Sequence, residues 1–248
     1  MSIGAVDRTG RIRAELERSG RVRVVELAAD MGVSEMTIRR DLDDLEQEGI
    51  LRRVYGGAVS VGPQAFSQRL NQNGRAKDRI ASKLIELVGD GGAIGVDAST
   101  TMQRLVASLP QVTDLTVLTN GPDTFAAMQG TVGVTALLTG GRTDPLTGSL
   151  VGPLAIRATR DIRLRRLFVS AAALDAELGS SEATLDEADV KLAMAEVATE
   201  VVLAVDSSKL GQRALAASFP PERVGMLVTE LGADDSALDP YRERWSIF

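Results

Sequence analysis

The chain has 248 residues, 44% of them hydrophobic and 25% charged, with a formal net charge of −6, which suits one small and one medium globular domain. It contains neither cysteine nor histidine. That removes disulfides, thiolate chemistry, cysteine-ligated zinc, the usual general base and the commonest transition-metal ligand, so no catalytic and no metal residues are assigned. The N-terminus shows no apolar signal segment and no run approaches a membrane span, so a cytoplasmic protein without membrane association is expected.

In chain order, the first readable stretch is 25–59, VVELAADMGVSEMTIRRDLDDLEQEGILRRVYGGAV. Residues 26–31 open a helix that buries Leu27 and Ala28, and Gly32 supplies its stop. Ser34 stands where an N-cap belongs, its hydroxyl able to accept from a free backbone N–H. In the helix that follows, Ile38, Leu42 and Leu45 recur at i, i+4 and i+7 and share one buried face. At about 100° per residue, Arg40 projects opposite that face, with Thr37 and Arg39 on its flanks. Gly49 is expected to end the helix. Residues 51–54 and 58–59 then form a two-stranded ribbon around Tyr55-Gly56-Gly57, with Arg52 and Arg53 placed to meet phosphates. A helix with arginines on one face, held by a second helix, is a device for reading a DNA groove. The candidate DNA-binding residues are Ser34, Glu35, Thr37, Arg39, Arg40, Arg52, Arg53 and Tyr55. The bland alternative is a small helical hairpin with a solvated charged face.

This part of the chain is not basic overall: residues 1–60 hold 10 Arg, no Lys and 11 Asp or Glu. The sign is segregated instead. Arg39, Arg40, Arg52 and Arg53 cluster at the groove-facing end, while Asp43, Asp44, Glu46 and Glu48 load the far half of the helix. Modest nonspecific affinity with steep salt dependence is expected, because each phosphate contact still releases counterions.

The domain boundaries expected are 1–60 for the helix-turn-helix part, 61–75 for a polar linker broken by Gly62, Pro63 and Gly74, and 76–248 for a second domain. In the second domain strand-like runs fall at 93–96, 115–118, 134–138, 167–171, 201–205 and 226–228, with helical patterns at 102–108, 123–129, 152–160 and 185–199. Continuous apolar strands separated by helices predict an α/β domain on a mostly parallel sheet covered on both faces. The tail 240–248 carries the only tryptophan, Trp245, which should cap the domain or dock on a partner subunit.

Ligands in open α/β sheets bind beyond the carboxyl ends of the strands. Here those ends read Asp97-Ala98-Ser99-Thr100-Thr101, Thr119-Asn120-Gly121, Thr139-Gly140-Gly141-Arg142 and Asp206-Ser207-Ser208-Lys209. Each is small and polar, the first two open into helices whose N-termini suit phosphate, and Lys209 is one of only four lysines. Candidate effector-binding residues are Asp97, Ser99, Thr100, Thr101, Asn120, Gly121, Gly140, Gly141, Arg142 and Lys209. No Walker A run or Gly-x-Gly-x-x-Gly fingerprint supports a nucleotide. Glu187 and Lys191, four apart on a helix, fit an i,i+4 ion pair first and stand as second-tier effector candidates with Asp175.

The run Val33-Ser34 through Thr37-Ile38-Arg39-Arg40-Asp41-Leu42, with Arg53-Val54-Tyr55-Gly56-Gly57-Ala58, closely resembles the DeoR family of bacterial transcriptional regulators. The similarity extends over nearly the whole chain. It implies a winged helix-turn-helix followed by a sensor domain similar to the ribose-5-phosphate isomerase fold. It also implies a regulator of carbohydrate-metabolism genes, a repressor in the first place with an activator as the open alternative, that answers to a phosphorylated sugar or related metabolite and uses no cofactor. The family pattern Asp-x-Gly-Thr-Thr stands here as Asp97-Ala98-Ser99-Thr100-Thr101, Thr-Asn-Ser as Thr119-Asn120-Gly121, and an inner aspartate as Ala172. The implied partners are a double-stranded DNA operator, a small phosphorylated effector and further copies of the chain, as a dimer or tetramer. The rival reading is a sugar-phosphate isomerase with a fused helical domain, with Asp97, Asp175, Glu187 and Lys209 as proton-shuttling groups.

Overall fold

The computed structural model describes residues 5–48, 50–60 and 66–248. The expected helix stop at Gly49 lies outside the described residues, as does 61–65 of the expected linker. The chain divides into two compact units, Met1–Gln72 and Asn73–Phe248.

The first unit runs α1 (Ala5–Ser19), β1 (Arg21–Arg23), α2 (Val24–Met31), α3 (Glu35–Gln47), β2 (Leu51–Val54), β3 (Gly57–Ser60) and α4 (Phe66–Asn71). Gly32 ends α2 in the left-handed region, at φ 63°, as its place after the last apolar residue requires. Ser34 caps α3 by accepting from the Thr37 N–H at 3.2 Å. Ile38, Leu42 and Leu45 share a core with Ile12, Leu16, Leu27, Met31, Leu51 and Ala58. The wing has three strands, not the two expected, in the order β1-β3-β2, all antiparallel. The extra strand is admitted by Gly57: a Cβ there would lie 1.9 Å from the Val22 carbonyl oxygen. Gly56 supplies the turn at φ 77°, so the two glycines serve different purposes. The expected linker is also shorter than its composition suggests. Residues 66–71 are helical, and the Gln72 side chain donates to the Ser19 carbonyl at 3.1 Å, so this segment belongs to the first unit.

The second unit continues with α5 (Gly74–Val88), β4 (Gly92–Val96), α6 (Thr100–Ala107), β5 (Leu115–Thr119), α7 (Pro122–Ala127), β6 (Val134–Leu138), β7 (Arg142–Thr143), β8 (Leu150–Val151), α8 (Pro153–Thr159), β9 (Leu164–Val169), β10 (Ala173–Asp175), β11 (Gly179–Glu182), α9 (Leu185–Glu196), β12 (Ala198–Ala204), β13 (Ala216–Ala217), β14 (Met226–Val228), α10 (Asp239–Arg242) and β15 (Ser246–Ile247). Seven strands form one sheet, β15-β14-β12-β9-β4-β5-β6, parallel throughout. Its central strands are buried on both faces. In β12 and β9, Val201, Leu203, Leu167 and Val169 enter one core with Val190 and Met194 of α9. The alternate residues Val202, Ala204 and Phe168 enter the other, with Ile80 and Leu84 of α5 and Met102 and Leu105 of α6. This two-sided burial is why the strands read as continuous apolar runs.

The chain starts this sheet at β4, adds β5 and β6 on one side, then returns to place β9, β12, β14 and β15 on the other. The order therefore reverses between β4 and β9, the position at which open parallel sheets leave a crevice. A small antiparallel sheet, β10-β11-β13, follows β9. The last expected helix stops at Glu196, because Ala198 pairs with Leu164 and begins β12. Trp245 stacks on Tyr241 at 5.8 Å and donates to the Pro221 carbonyl at 2.7 Å, so it caps its own domain.

Gly57→Ala should force β1 and β3 apart and cost about 1–3 kcal/mol, the usual range for overpacking. Gly56→Ala should cost about 1 kcal/mol through its positive φ alone. Urea unfolding followed by circular dichroism should show the larger midpoint drop for Gly57→Ala; equal drops would refute the close approach.

Candidate functional site

In the first unit the question is which charges remain available. Ser34 and Thr37 engage each other, their hydroxyl oxygens 2.9 Å apart, so Ser34 holds the helix start. Arg39 donates to Glu35 at 2.7 Å, with both side chains about half exposed. Asp41 is buried and takes both ends of the Arg8 guanidinium, one contact at 2.7 Å. Glu48 pairs with Arg13. Arg53, expected at phosphates, is engaged within the unit. Its Nη1 donates to the Arg39 carbonyl at 2.9 Å and to Asp43, while its backbone N–H donates to Glu46 at 2.6 Å. Arg53 thus straps the wing to α3, because two acidic residues of α3 face it.

Arg40 and Arg52 are exposed and, among the described residues, form no ion pair. Tyr55 is fully exposed at the wing tip. Met36, four residues before Arg40 on the same outer face, is 70% exposed. An isolated methionine carries no local signal of exposure, so nothing in the sequence singles it out. On α3 and the wing, Glu35, Asp41 and Asp43 are ion-paired, while among the described residues Arg40 and Arg52 are not. An open groove of about 530 Å³ beside the wing turn sets Glu15 and Glu26 against Arg21 and Arg23 and offers no single-sign field.

In the second unit the residues expected at the strand ends divide into two groups. The first forms a buried charge cluster at the β4/β9 switch point. Asp97, fully buried, accepts from the Ser99 N–H and the Ser170 N–H, each at 2.9 Å, and pairs with Lys191 at 3.0 Å. Lys191 also pairs with Glu182 at 2.9 Å and donates to the Ser170 carbonyl at 2.8 Å. It reaches past Glu187, its expected i−4 partner. Glu187 instead lies 3.5 Å from the Ser149 hydroxyl. Lys209 donates to the Ala171 carbonyl at 2.5 Å and the Ser170 hydroxyl at 3.3 Å. Two of the chain's four lysines therefore converge on Ser170-Ala171.

Burial opposes every charge here. It works against the Lys191 ammonium, but Asp97, Glu182 and Glu187 outweigh it and hold that pKa above the ordinary lysine value. Burial likewise opposes the Asp97 carboxylate, yet Lys191 and the Ser99 and Ser170 donors keep its pKa below normal. Glu182 is the exception: burial, with Glu187 and Asp97 adding to it, outweighs Lys191 and pushes the carboxyl up to about 7. Asp97 and Lys191, expected at the effector, are thus engaged with the protein itself. Glu182 was not anticipated, since it lies in a four-residue polar strand with distant partners.

The second group is formed by the loops. Ser99 caps α6 by accepting from the Met102 N–H at 3.2 Å, and Thr100 and Thr101 are buried beside it. Asn120 donates to the Leu150 carbonyl at 3.2 Å, while its Oδ1 and the Thr124 Oγ1 are buried without partners among the described residues. At Gly121 a Cβ would lie 2.8 Å from both the Ala98 Cα and the Thr124 Oγ1, so the loops after β4 and β5 touch. Gly140 and Gly141 are exposed, with φ of 71° and 124°. The loop they end is tied to β5, because the Thr139 N–H donates to the Thr119 carbonyl at 3.0 Å. Two expected residues are placed otherwise. Arg142 points out to pair with Asp186. Asp175 caps the β10–β11 turn, accepting from Glu177 and Leu178, and pairs with Arg213 at 2.7 Å. The backbone N–H of Leu178, then Arg213, holds the Asp175 carboxyl below its ordinary pKa, so the rival isomerase loses a proton carrier.

Two family models match the chain: a DeoR-like helix-turn-helix domain over residues 8–64 and a DeoR C terminal sensor domain over 72–231. Among curated proteins, the HTH-type transcriptional regulator GlpR of Haloferax volcanii is 35% identical, covering 84% of this chain and 88% of that protein. The transcriptional repressor AccR of Agrobacterium fabrum is 30% identical, covering 91% and 90%. The lactose phosphotransferase system repressor of Staphylococcus epidermidis is 29% identical, covering 83% and 84%. Of solved structures, ribose 5-phosphate isomerase A from Methanocaldococcus jannaschii is 17% identical with a TM-score of 0.40, covering 56% of this chain and 55% of that one.

Glu182→Gln tests the charge cluster. A carboxyl whose pKa rises on folding from 4.5 to about 7 gives stability that is complete below the unfolded value and is lost as pH climbs through the folded one. Relative to Glu182→Gln, the unaltered chain should therefore lose stability between about pH 5 and 7. Urea midpoints across a pH series measure this, and parallel curves would refute it.

Proposed function

Because the chain belongs to the DeoR family of DNA-binding transcriptional regulators, we propose that it represses carbohydrate-metabolism genes and is released by a phosphorylated sugar or related metabolite. The observation that carries the DNA half is the pairing pattern on α3. Acidic residues are engaged by Arg8, Arg13 and Arg53, while Arg40 and Arg52 remain exposed without ion pairs among the described residues. Arg40 reads base edges, flanked by Thr37 and Arg39, and Met36 meets a thymine methyl. Arg52 and Tyr55 contact the backbone through the wing, and Arg53 holds that wing in place.

The effector half rests on the loops that meet beyond the carboxyl ends of β4, β5 and β6. Thr100, Thr101, Asn120 and the Gly140-Gly141 backbone form a polar edge suited to phosphate and sugar oxygens. Lys209 turns from the Ala171 carbonyl to the incoming phosphate. Two DNA-binding units must act together to span paired half-sites, so the chain works as a homo-oligomer, a dimer or tetramer. Effector control then requires that the ligand bind one arrangement of those units more tightly than the other. Repression is favoured by the names of two of the relatives above.

Arg40→Ala should weaken binding to an operator fragment by about 1–3 kcal/mol, some 5- to 150-fold. Arg52→Ala should reduce the salt slope by about one while leaving stability unchanged. Arg53→Ala should instead lower the stability of the first unit. Fluorescence anisotropy on duplexes from the chain's own chromosomal neighbourhood, with parallel melting curves, separates the three; unchanged affinity in Arg40→Ala removes that residue from the reading set. Separately, one member of a phosphosugar panel should raise the melting temperature, since a ligand selective for the folded state stabilises by mass action. Thr100→Val should abolish that shift, and a panel without any shift would defeat the effector reading.

A further inference from the structure

The two edges of the seven-stranded sheet differ in a way that the regulator reading does not explain. One edge is β15, two residues long. The other is β6, five residues long, bonded to β5 over its whole length from Leu115↔Val134 to Thr119↔Leu138. On its far side β6 pairs with no strand among the described residues. A free edge presents a row of backbone donors and acceptors, and monomeric proteins usually blunt it with charge, proline, a bulge or extreme shortness. β15 has the last of these. β6 has none: the run 131–141, TVGVTALLTGG, contains no charged residue and no proline. Val134 and Ala136 pack partly on the core beneath, whereas Thr135, Leu137 and Leu138 are exposed, the two leucines at 38% each.

We propose that β6 is the self-association edge of the sensor domain, pairing antiparallel with β6 of a second copy across a twofold axis. The occupant follows from charge and symmetry. A strand with no charge of its own has nothing to select a charged partner and nothing to repel its own copy. Two parallel sheets meeting edge to edge about a twofold must meet antiparallel, the pairing that closes a symmetric dimer with identical patches. The inference rests on the homo-oligomer of the proposed function and names its surface. Val134–Leu138 is centred on Ala136, so residues 135, 136 and 137 lie nearest the axis.

The absence of cysteine from the chain makes the test direct. Sedimentation velocity on the full chain should show an even-numbered oligomer, and Thr135→Lys and Leu137→Lys should each halve its mass. In a second arm, single cysteines replace Thr135, Ala136 or Leu137 in turn, followed by mild oxidation. At least one position should give a disulfide-linked dimer, while Leu215→Cys, on an 81% exposed site in the loop before β13, should not. A monomeric chain, an oligomer indifferent to both lysines, or cross-linking at none of the three positions overturns the proposal. A dimer through β6 that binds no operator fragment would sink the regulator reading and leave this interface standing. Operator binding by a chain that stays monomeric would do the reverse.

Discussion

How one buried ammonium is shared decides the form of the sensor domain at the carboxyl ends of its central strands. Lys191 sits among Asp97, Glu182 and Glu187 in a place that water scarcely reaches. A charge there is tolerable only if it is paired and its hydrogen bonds are complete. Its contacts run to the end of β4 through Asp97, to the end of β9 through the Ser170 carbonyl, and to β11 through Glu182. The ammonium therefore fixes the two strands that flank the switch point against α9 and the small sheet. The same arrangement fixes the charge state of that edge. Its most buried positive charge is already matched by carboxylates, whereas Lys209 beside it donates to the neutral Ala171 carbonyl and Ser170 hydroxyl.

The DNA-binding unit obeys the same rule with the opposite consequence. Eleven acidic side chains among the first 60 residues would repel a polyanion if they faced it unmatched. Arg8 neutralises Asp41 inside the unit, while Arg13 and Arg53 neutralise Glu48 and Asp43 nearer its surface. On the outer side of α3 and the wing, Arg40 and Arg52 are left exposed without ion pairs among the described residues. A net charge near zero thus coexists with local exposed arginines, because the field at a surface depends on where charges sit as well as on their sum.

Local rules made part of this architecture readable in the sequence, and long-range pairing hid the rest. Ser34, Gly32 and the Ile38–Leu42–Leu45 stripe were legible because capping, helix stopping and periodicity are local rules. The central sheet strands were legible because burial on both faces writes an unbroken apolar run, and β6, exposed at Thr135, Leu137 and Leu138, from its apolar composition alone. β1, β7, β8, β10, β11, β13 and β15 span two to four residues each and lack a run of three apolar residues such as the one that marks β14. The fates of Arg53, Asp97, Lys191 and Asp175 were hidden for another reason. Each was identified as charged and near an interesting place, but its partner lies 10, 94 or 38 positions away, and only the fold brings those positions together. Local chemistry can nominate a charged residue; it cannot tell whether the residue is still available.

Gly121 shows how far that distinction reaches. Against the family pattern it looked like a serine position short of one hydroxyl. In the fold, a Cβ at 121 would collide with Ala98 and with the Thr124 hydroxyl, so glycine there follows from the close approach of two loops. The hydroxyl that occupies this space belongs to Thr124, and among the described residues it is buried without a partner, as is the carbonyl oxygen of the Asn120 side chain. Unsatisfied buried polar atoms cost of order 1–3 kcal/mol each. A hydroxyl can both donate and accept, whereas an amide oxygen can only accept. The close approach that requires glycine at 121 therefore also sets the polar atoms enclosed where the loops after β4 and β5 meet.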